Sequence, residues 1–408
     1  MIMQITPILI ALKRHKAGTI LIALQIALTL AIVCNALFII RQRVEHAMRP
    51  TGIDESSIIR IKNEWAKQQT PEQLRALADT DLAVLRQIPG VIDAYATNSF
   101  PLSGNGMPMG LTYTADQPNP TTTASAYFAD AHTLNTLGLK LIAGRNFSPD
   151  EIGQLGPQEM LAPPVVIVTE DLAKAMYPDG SALGKTVYMS PRPSTIVGIV
   201  ERLQGPWVDN SSAQWAERSA LVPFKLDAAP YYLIRVRHDQ VHAVASIALQ
   251  KLYDVNAMRV IDGKDGVRTF EEVRKDAYQK DHGMAVAMTL ICASLLAITA
   301  AGIVGLTSFW VGQRRKHIGV RRALGATRRD ILAYFLTENG LITLAGVVLG
   351  SILAVSINSW MMGAFEMRRL PPGYVLLGMV ALLLLGQLAA FIPAFRATRV
   401  SPVEATRP

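Results

Sequence analysis

Four stretches of this chain run without a charged residue for longer than a bilayer core demands. They are Ala17 to Ile40 (24 residues), Gly283 to Gln313 (31), Asn339 to Phe365 (27) and Leu370 to Phe395 (26). A helix needs about 20 apolar residues to cross the hydrocarbon core. Each run is rich in Leu, Ile, Ala and Val, with scattered Gln, Asn, Ser and Thr, so four transmembrane helices are expected. Composition agrees. Only 18% of the 408 residues are charged, below the roughly 25% of soluble globular chains, and the mean hydropathy is +0.25. A purely soluble enzyme is excluded, as is disorder. The two cysteines, Cys34 and Cys292, lie inside apolar runs, where thiols pack as small hydrophobes, and they are too few for a disulfide scaffold.

The first run has one alternative, a cleaved signal peptide. Its apolar stretch exceeds the roughly 7–15 residues of a signal core, and Arg41, Gln42 and Arg43 follow it instead of small residues. Val33 before Cys34 also argues against a lipoprotein acceptor. Retention as an anchor is expected. Orientation follows from the basic residues, which favour the cytoplasmic side. The segment 41–283 has a formal net charge of −3 and the remainder +11, which together give the chain's +8. Lys13, Arg14 and Lys16 precede the first span, and Arg396, Arg399 and Arg407 follow the fourth. Seven arginines and lysines separate the second from the third; only Arg368 and Arg369 fall between the third and fourth. The basicity is thus a positive-inside bias and not a nucleic-acid footprint. The ends and the second-to-third loop face the cytoplasm, and 41–283 lies outside it.

The expected order is a cytoplasmic segment 1–16, helix 17–40, an extracytoplasmic α/β domain 41–283, helix 284–312, a cytoplasmic loop 313–336, helix 337–364, a short outer loop 365–373, helix 374–395 and a tail 396–408. Within the large domain, Ser57 to Lys62 alternates as a strand does. Leu74, Leu77, Ala78, Leu82, Leu85 and Ile88 recur at helical spacing, and Val91 to Ala96 is a strand again after Pro89-Gly90. Tyr231 to Arg237, Val241 to Tyr253 and Met258 to Ile261 repeat that β-α-β order. The domain is therefore expected to hold a repeated sheet-and-helix module (41–97 with 231–283) and an inserted lobe (about 98–230) with strands near Pro164 to Thr169, Ser194 to Val200 and Leu221 to Phe224.

Residues for chemistry are scarce. Gly180-Ser-Ala-Leu-Gly-Lys-Thr186 has three residues between its glycines where a phosphate-cradling loop has four, so a plain turn is expected. There is no G-x-S-x-G and no H-E-x-x-H. Of seven histidines, only His238 and His242 stand four apart, without an acid between them at a hydrolase spacing, and solvated surface is expected over a metal site. No catalytic, cofactor-binding or metal-binding residue is assigned.

The informative stretch is Gln313 to Leu336, QRRKHIGVRRALGATRRDILAYFL. It holds seven basic residues and one acid, Asp330. Ile318, Val320, Ala323, Leu324 and Ile331 form an apolar stripe fitting a short amphipathic helix at the interface. One reading is a basic helix gripping anionic headgroups; the other is a protein contact at a compact turn bracketed by Gly319 and Gly325. The residues resemble the cytoplasmic loop of FtsX-like permeases in the MacB family of ABC transporters: a basic cluster, E-I-G, two basic residues, A-[LIV]-G-A, then a Glu entering the next span. Ile318-Gly319, Arg321-Arg322-Ala323-Leu324-Gly325-Ala326 and Glu338 match, and His317 stands where the family has an acid. The large domain carries further resemblances: Ala126-Tyr127-Phe128, Leu137-Gly138-Leu139, Ala143-Gly144-Arg145-Asn146-Phe147, Leu183-Gly184-Lys185 and Ile196 to Val200. The tail from Pro393 to Ala397 and Ser401 to Ala405 is similar to the family's ending.

The resemblance implies a multi-pass protein of the bacterial inner membrane whose large domain stands in the periplasm. It implies that the loop is a coupling helix docking on a cytoplasmic ABC ATPase, which uses ATP and Mg while this chain binds no cofactor. In the family's namesake the ATPase precedes the first span; with 16 residues there, a separate ATPase polypeptide is expected. A second permease, identical or related, is an implied partner, and a periplasmic adaptor and outer-membrane channel are compatible ones. Gly346 and Gly350 in the third span, and Ala301 and Gly305 in the second, are small-x-x-x-small pairs that allow close helix approach; a subunit interface is slightly favoured for them over internal packing. Glu338 at the membrane edge is expected to pair with an arginine in preference to relaying protons. Two functions follow: export of a peptide, an antibiotic-like compound or another periplasmic substrate by mechanotransmission, or FtsX-like signalling to a periplasmic partner without transport. A membrane-anchored enzyme has no candidate residues.

Overall fold

A computed structural model of the chain describes residues 16–155, 161–180, 182–209, 212–226, 229–365 and 369–399. Lys13, Arg14, Ser181, Arg368 and the tail motif from Ser401 lie outside the described residues. Helices follow in the order α1 (Lys16–Ala47), α2 (Pro71–Arg86), α3 (Thr133–Leu137), α4 (Glu170–Met176), α5 (Val241–Val255), α6 (Phe270–Ala277), α7 (Gln279–Gln313), α8 (Arg315–Ala323), α9 (Arg328–Phe365) and α10 (Pro372–Ala397). The chain divides into two compact units. One is the interspan domain from Arg49 to Gln279; the other comprises the residues through Met48 and those from Lys280 onward.

The interspan domain has two lobes. In the first, β1 (Ile58–Lys62), β3 (Val91–Thr97), β13 (Tyr231–Val236) and β15 (Val267–Thr269) form a sheet in the order β15-β1-β13-β3, antiparallel throughout. Helix α2 links β1 to β3 across β13, and α5 links β13 to β15 across β1. The two β-α-β units therefore interlock as split units of the ferredoxin-like kind. Both helices lay an apolar face on the sheet: Leu82 and Leu85 of α2 and Val244, Ala248 and Leu252 of α5 are buried against Ile59, Ile61, Ala94 and Ile234. Burial of each of the leucines and of the valine contributes about 1.5–3 kcal/mol. Thr70 and Gln73 close a capping box that starts α2.

The fourth strand of this lobe differs from expectation. Met258 to Ile261 contributes only β14 (Arg259–Val260), which pairs with β2 (Glu64–Trp65) in a separate ribbon. β15 completes the sheet instead, because the turn Asp262 to Gly266 reverses the chain onto β1; Asp262 accepts from the N–H groups of Lys264 and Asp265. The diversion of β14 is anchored by a fully buried ion pair. Arg259 donates to both oxygens of Asp81 (2.8 and 3.0 Å), and Tyr232 donates to the same carboxylate at 2.8 Å.

The second lobe is a mixed sheet in the order β4-β5-β11-β8-β10-β6, with β9 paired to β10. Its strands are β4 (Met107–Leu111), β5 (Thr122–Phe128), β6 (Leu141–Gly144), β8 (Val165–Thr169), β9 (Thr186–Tyr188), β10 (Pro193–Val200) and β11 (Ser219–Val222). A ribbon of β7 (Gly153–Leu155) and β12 (Phe224–Leu226) flanks it; Pro223 separates β11 from β12, since a proline offers no ladder N–H. The near-phosphate-loop sequence is a turn ahead of β9. A strand follows it where a phosphate loop has a helix, and the Gly184 N–H is already bonded to the Ile196 carbonyl at 2.8 Å.

In the membrane unit the helices outrun their uncharged cores. α9 has 38 residues, about 57 Å at 1.5 Å per residue, against a core of about 30 Å. A helix continues through charged residues once it leaves lipid, so α1 extends through Arg41 to Ala47 and α9 begins eleven residues before Asn339. Packing relies on small residues. A Cβ on Gly346 would lie 2.8 Å from the Ala23 carbonyl, and one on Gly350 the same distance from that of Ala27. This pair makes contact with α1 of the same chain, the internal packing that was the slightly less favoured of the two expectations. Ala301 and Gly305 are exposed on α7, and nothing stands within 4 Å of a Cβ at Gly305. Polar side chains bond across the bundle, Thr29 to Thr299 at 2.7 Å, Asn35 to the Ala354 carbonyl at 3.1 Å and Asn339 to that of Gly386 at 2.9 Å.

Candidate functional site

The basic loop is two helices meeting at a sharp turn. α7 ends where Arg314 leaves helical geometry, and α8 begins at once. The span 313–336 is therefore not one element: α8 covers 315–323, and 328–336 is already α9. Gly319 does not bound a turn either; it is buried in the middle of α8.

The apolar stripe divides between two faces. Ile318 packs with Val311, Ile331, Phe335, Ala394 and Ala397 in a small core that holds α8 against α7, α9 and α10. Val320, Ala323 and Leu324 face the other way. Val320 is 50% exposed and Leu324 83%. Positions 320, 323 and 324 share one helix face, so an apolar tip stands clear of the bundle. Arg315, Lys316, Arg321, Arg328 and Arg329 are exposed around it, as is His317.

The tip is held by local hydrogen bonds. The Ala326 N–H bonds the Arg321 carbonyl at 3.0 Å and the Gly325 N–H that of Arg322 at 3.2 Å. Those two bonds, with Gly325 at φ +98°, make a Schellman motif, which requires a left-handed residue that glycine supplies without strain. Two residues on, Thr327 caps α9: the Asp330 N–H donates to its hydroxyl, and Asp330 accepts from the Thr327 N–H at 2.9 Å. The sequence G-A-T-R-R-D thus encodes a helix stop and a helix start back to back. Those signals are legible in the residues, and the expectation of a single amphipathic helix overlooked them.

Three cations fasten the turn to the bundle. Arg314 donates to both oxygens of Glu338 (3.0 and 2.8 Å) and to the Tyr334 hydroxyl at 3.3 Å. The Glu338 side chain is 2% exposed. Arg321 lies over the Tyr334 ring at 4.9 Å, and Arg322 donates to the Thr398 carbonyl at 3.2 Å. At the opposite end of the helices, Asp281 of α7 takes Arg43 and His46 of α1, each at 2.9 Å.

The motif residues in the interspan domain are architectural. Tyr127 is buried and donates to the Gln204 carbonyl at 2.7 Å. Gly138 ends α3 with positive φ. Arg145 grips Glu151 through two bonds (2.8 and 2.6 Å), which, with the Ser148 cap, holds that carboxyl down to about 2. His238 bonds the Ser56 carbonyl, and no group of three or more His, Cys, Asp and Glu converges as a metal site among the described residues.

Comparison with known proteins gives this arrangement its family. Residues 19–256 match the model for the MacB-like periplasmic core domain, and 289–402 that for the FtsX-like permease C-terminal region. The chain belongs to the MacB/FtsX-like permease family. The MacB-like permease is 26% identical over 274 residues to the macrolide export ATP-binding/permease protein MacB of Chromobacterium violaceum, covering 66% of this chain and 41% of that one. It is 23% identical over 412 residues to MacB of Shewanella oneidensis, 97% of this chain and 59% of the other. The uncharacterized ABC transporter permease YknZ of Bacillus subtilis is 23% identical over 286 residues, 67% of each. The chain thus spans about two fifths to three fifths of the MacB relatives' length. Among solved structures, the extracellular domain of YknZ aligns with TM-score 0.33 and 16% identity over 51% of this chain and 98% of that one. The periplasmic region of MacB from Actinobacillus actinomycetemcomitans aligns with 0.35 and 16%, covering 57% and 97%. By its family match and its four long apolar helices, this permease is a multi-pass membrane protein with an extracytoplasmic α/β domain between its first two spans.

Proposed function

We propose that this chain is the permease subunit of an ABC transporter of the bacterial inner membrane, and that a cytoplasmic ABC ATPase docks on the α8–α9 turn. The observation that carries the reading is the Leu324 tip. A leucine held 83% exposed on a backbone fixed by two caps is a preorganised knob, and preorganisation lowers the ordering cost of binding. The cations around it suit a partner whose apolar slot has an acidic rim, an arrangement that speeds encounter and fixes register. Movement imposed on the tip by nucleotide-driven closure of the ATPase passes into α7 and α9, and this chain works with a second permease to export a peptide, antibiotic-like or other periplasmic substrate. Support comes from the family membership and from the pinned turn; the chain's own residues supply no nucleotide chemistry in this scheme.

A photo-crosslinking amino acid in place of Leu324, activated in cells, tests the docking. Adducts carrying a phosphate-loop peptide of an ABC ATPase are expected. Adducts confined to lipid or to unrelated proteins overturn the assignment. Deletion of the gene separates export from signalling: lost substrate efflux favours the exporter, whereas normal efflux with altered cell-wall cleavage favours a signal transmitter using the same docking step.

A further inference from the structure

The chain enters the interspan domain just after α1 and leaves it just before α7, and the two crossings meet at one residue of the second lobe. Gln204 lies in the loop between β10 and β11. It is buried, as are Thr51 of the entering segment and Tyr278 of the leaving one. The Gln204 N–H donates to the Thr51 carbonyl at 2.8 Å, and its side-chain Nε2 donates to the Tyr278 hydroxyl at 3.0 Å. Its carbonyl accepts from the Tyr127 hydroxyl of β5 at 2.7 Å. One residue thus bonds the entry, the exit and the sheet of its own lobe.

The loop that carries Gln204 is fixed to the second lobe. The Leu203 carbonyl accepts from the Ser219 hydroxyl of β11 at 2.8 Å, and the Glu201 N–H donates to the Lys140 carbonyl at 2.9 Å. The entering segment lies directly on this loop: a Cβ at Gly52 would stand 2.2 Å from the Arg202 carbonyl oxygen. Entry and exit are also laced to each other. Arg274 of α6 donates to the Arg49 carbonyl at 2.8 Å, reaches both oxygens of Glu55 at 2.6 Å and lies 5.5 Å over the Tyr278 ring. His132 and Asn135 tie the second lobe to Asp93 of the first at 2.9 and 2.8 Å, but those bonds involve neither Thr51 nor Tyr278.

A buried amide is unfavourable unless it is hydrogen-bonded, and an apolar side chain of the same length would fill the space without that requirement. The side chain of Gln204 therefore makes the loop's position depend on Tyr278, while its backbone makes the same loop depend on Thr51. We propose that Gln204 is a positioning residue, the joint by which the second lobe follows both crossings. A displacement of either crossing is passed to the β10–β11 loop, and loosening one loosens the other. The inference deepens the transmission of movement proposed above and rests on that reading only for the source of the movement.

Hydrogen exchange of the full chain in lipid nanodiscs, with and without Tyr278→Phe, tests the joint amide by amide. The variant removes one hydroxyl at the exit and keeps the ring under Arg274. Exchange reports local opening. The Gln204 N–H, whose acceptor is Thr51 at the entry, should therefore exchange about five-fold faster, the effect of one buried hydrogen bond. Amides of the β8–β11 pairing should keep their native rates. Gln204→Met, which keeps the side chain's length without its amide, should accelerate the same N–H as much, and the double variant no more than either alone. A Gln204 N–H within about two-fold of its native rate in Tyr278→Phe, acceleration shared equally by the β8–β11 amides, or additive effects in the double variant overturns the proposal. Should Gln204→Met fail to fold, Tyr278→Phe decides. A Leu324 adduct to an ABC ATPase together with unchanged exchange would strike the joint and leave the docking standing; absent adducts with accelerated exchange would do the reverse.

Discussion

Replacing Glu338 with Gln tests whether the α8–α9 turn is held by the Arg314 ion pair. In the native turn one guanidinium nitrogen reaches both carboxylate oxygens, at 2.8 and 3.0 Å, and Glu338 is 2% exposed. Glutamine keeps the shape and one acceptor but removes the charge, and Arg314 is left 15% exposed without its counter-ion. Hydrogen bonds to charged groups contribute about 1.5–3 kcal/mol, and complete removal of a buried partner costs about 3–5 kcal/mol. With one acceptor retained, about 2 kcal/mol is expected. That corresponds to about a 30-fold rise in the population of an undocked turn. Trypsin reads this population, because Arg328 and Arg329 flank the turn and cleavage requires local opening. Where opening and closing are fast relative to cleavage, the rate follows the open fraction. Cleavage at Arg328–Arg329 of Glu338→Gln in nanodiscs should therefore be about 30 times faster than in the native chain. A rate within about three-fold of native, equivalent to about 0.6 kcal/mol, would mean that the Ile318 core alone holds the turn and that the pair adds nothing.

Gly350→Val should destabilise the bundle in detergent unfolding by about 2–3 kcal/mol, because its Cβ would stand 2.8 Å from the Ala27 carbonyl. Gly305→Val, with nothing within 4 Å, should leave that stability unchanged; equal losses would disprove the close-packing argument. Glu151, held down to about 2 by Arg145, contributes stability that is complete above its unfolded value near 4.5 and is lost as pH falls from there towards 2. Arg145→Ala should accordingly narrow the stability difference between pH 7 and pH 3 in thermal unfolding; an unchanged difference would show that the pair is not coupled to folding.

The membrane helices were legible because long uncharged runs have few alternatives, yet their ends were not. Hydropathy marks where lipid stops, whereas α1 and α9 continue as helix through Arg41 and Arg328. The interlocked β-α-β pair was also legible in its helices and three of its strands. Its fourth strand was misplaced, since Met258 to Ile261 and Val267 to Thr269 are both short and β-prone, and the choice between them depends on a buried Arg259–Asp81 pair whose partners stand 178 residues apart. Gly346 and Gly350 announced a close approach without announcing to what; only the packed bundle shows that α1 fills it. The α8–α9 turn is the opposite case. Gly325 before Thr327 and Asp330 is a local signal, readable without any tertiary information.

The contacts of the membrane unit leave little freedom for its helices to move singly. Arg314 ties the end of α7, and with it α8, to Glu338 of α9. Glycines 346 and 350 bring α9 against α1 so closely that a single methyl would clash. At the far end Asp281 of α7 holds Arg43 and His46 of α1. α1, α7 and α9 are thus joined in a closed circuit: α7 to α9 at the turn, α9 to α1 along a helix face, α1 to α7 at the other end. Displacing α8 while keeping these contacts must move all three helices together. On the proposed docking at Leu324, a small force there would be carried into a common motion of α1 and α7, the two helices that flank the interspan domain in the chain. Cutting the circuit at Asp281 should leave the turn intact but let the outer ends of α1 and α7 separate, which distinguishes a transmitting frame from a passive anchor.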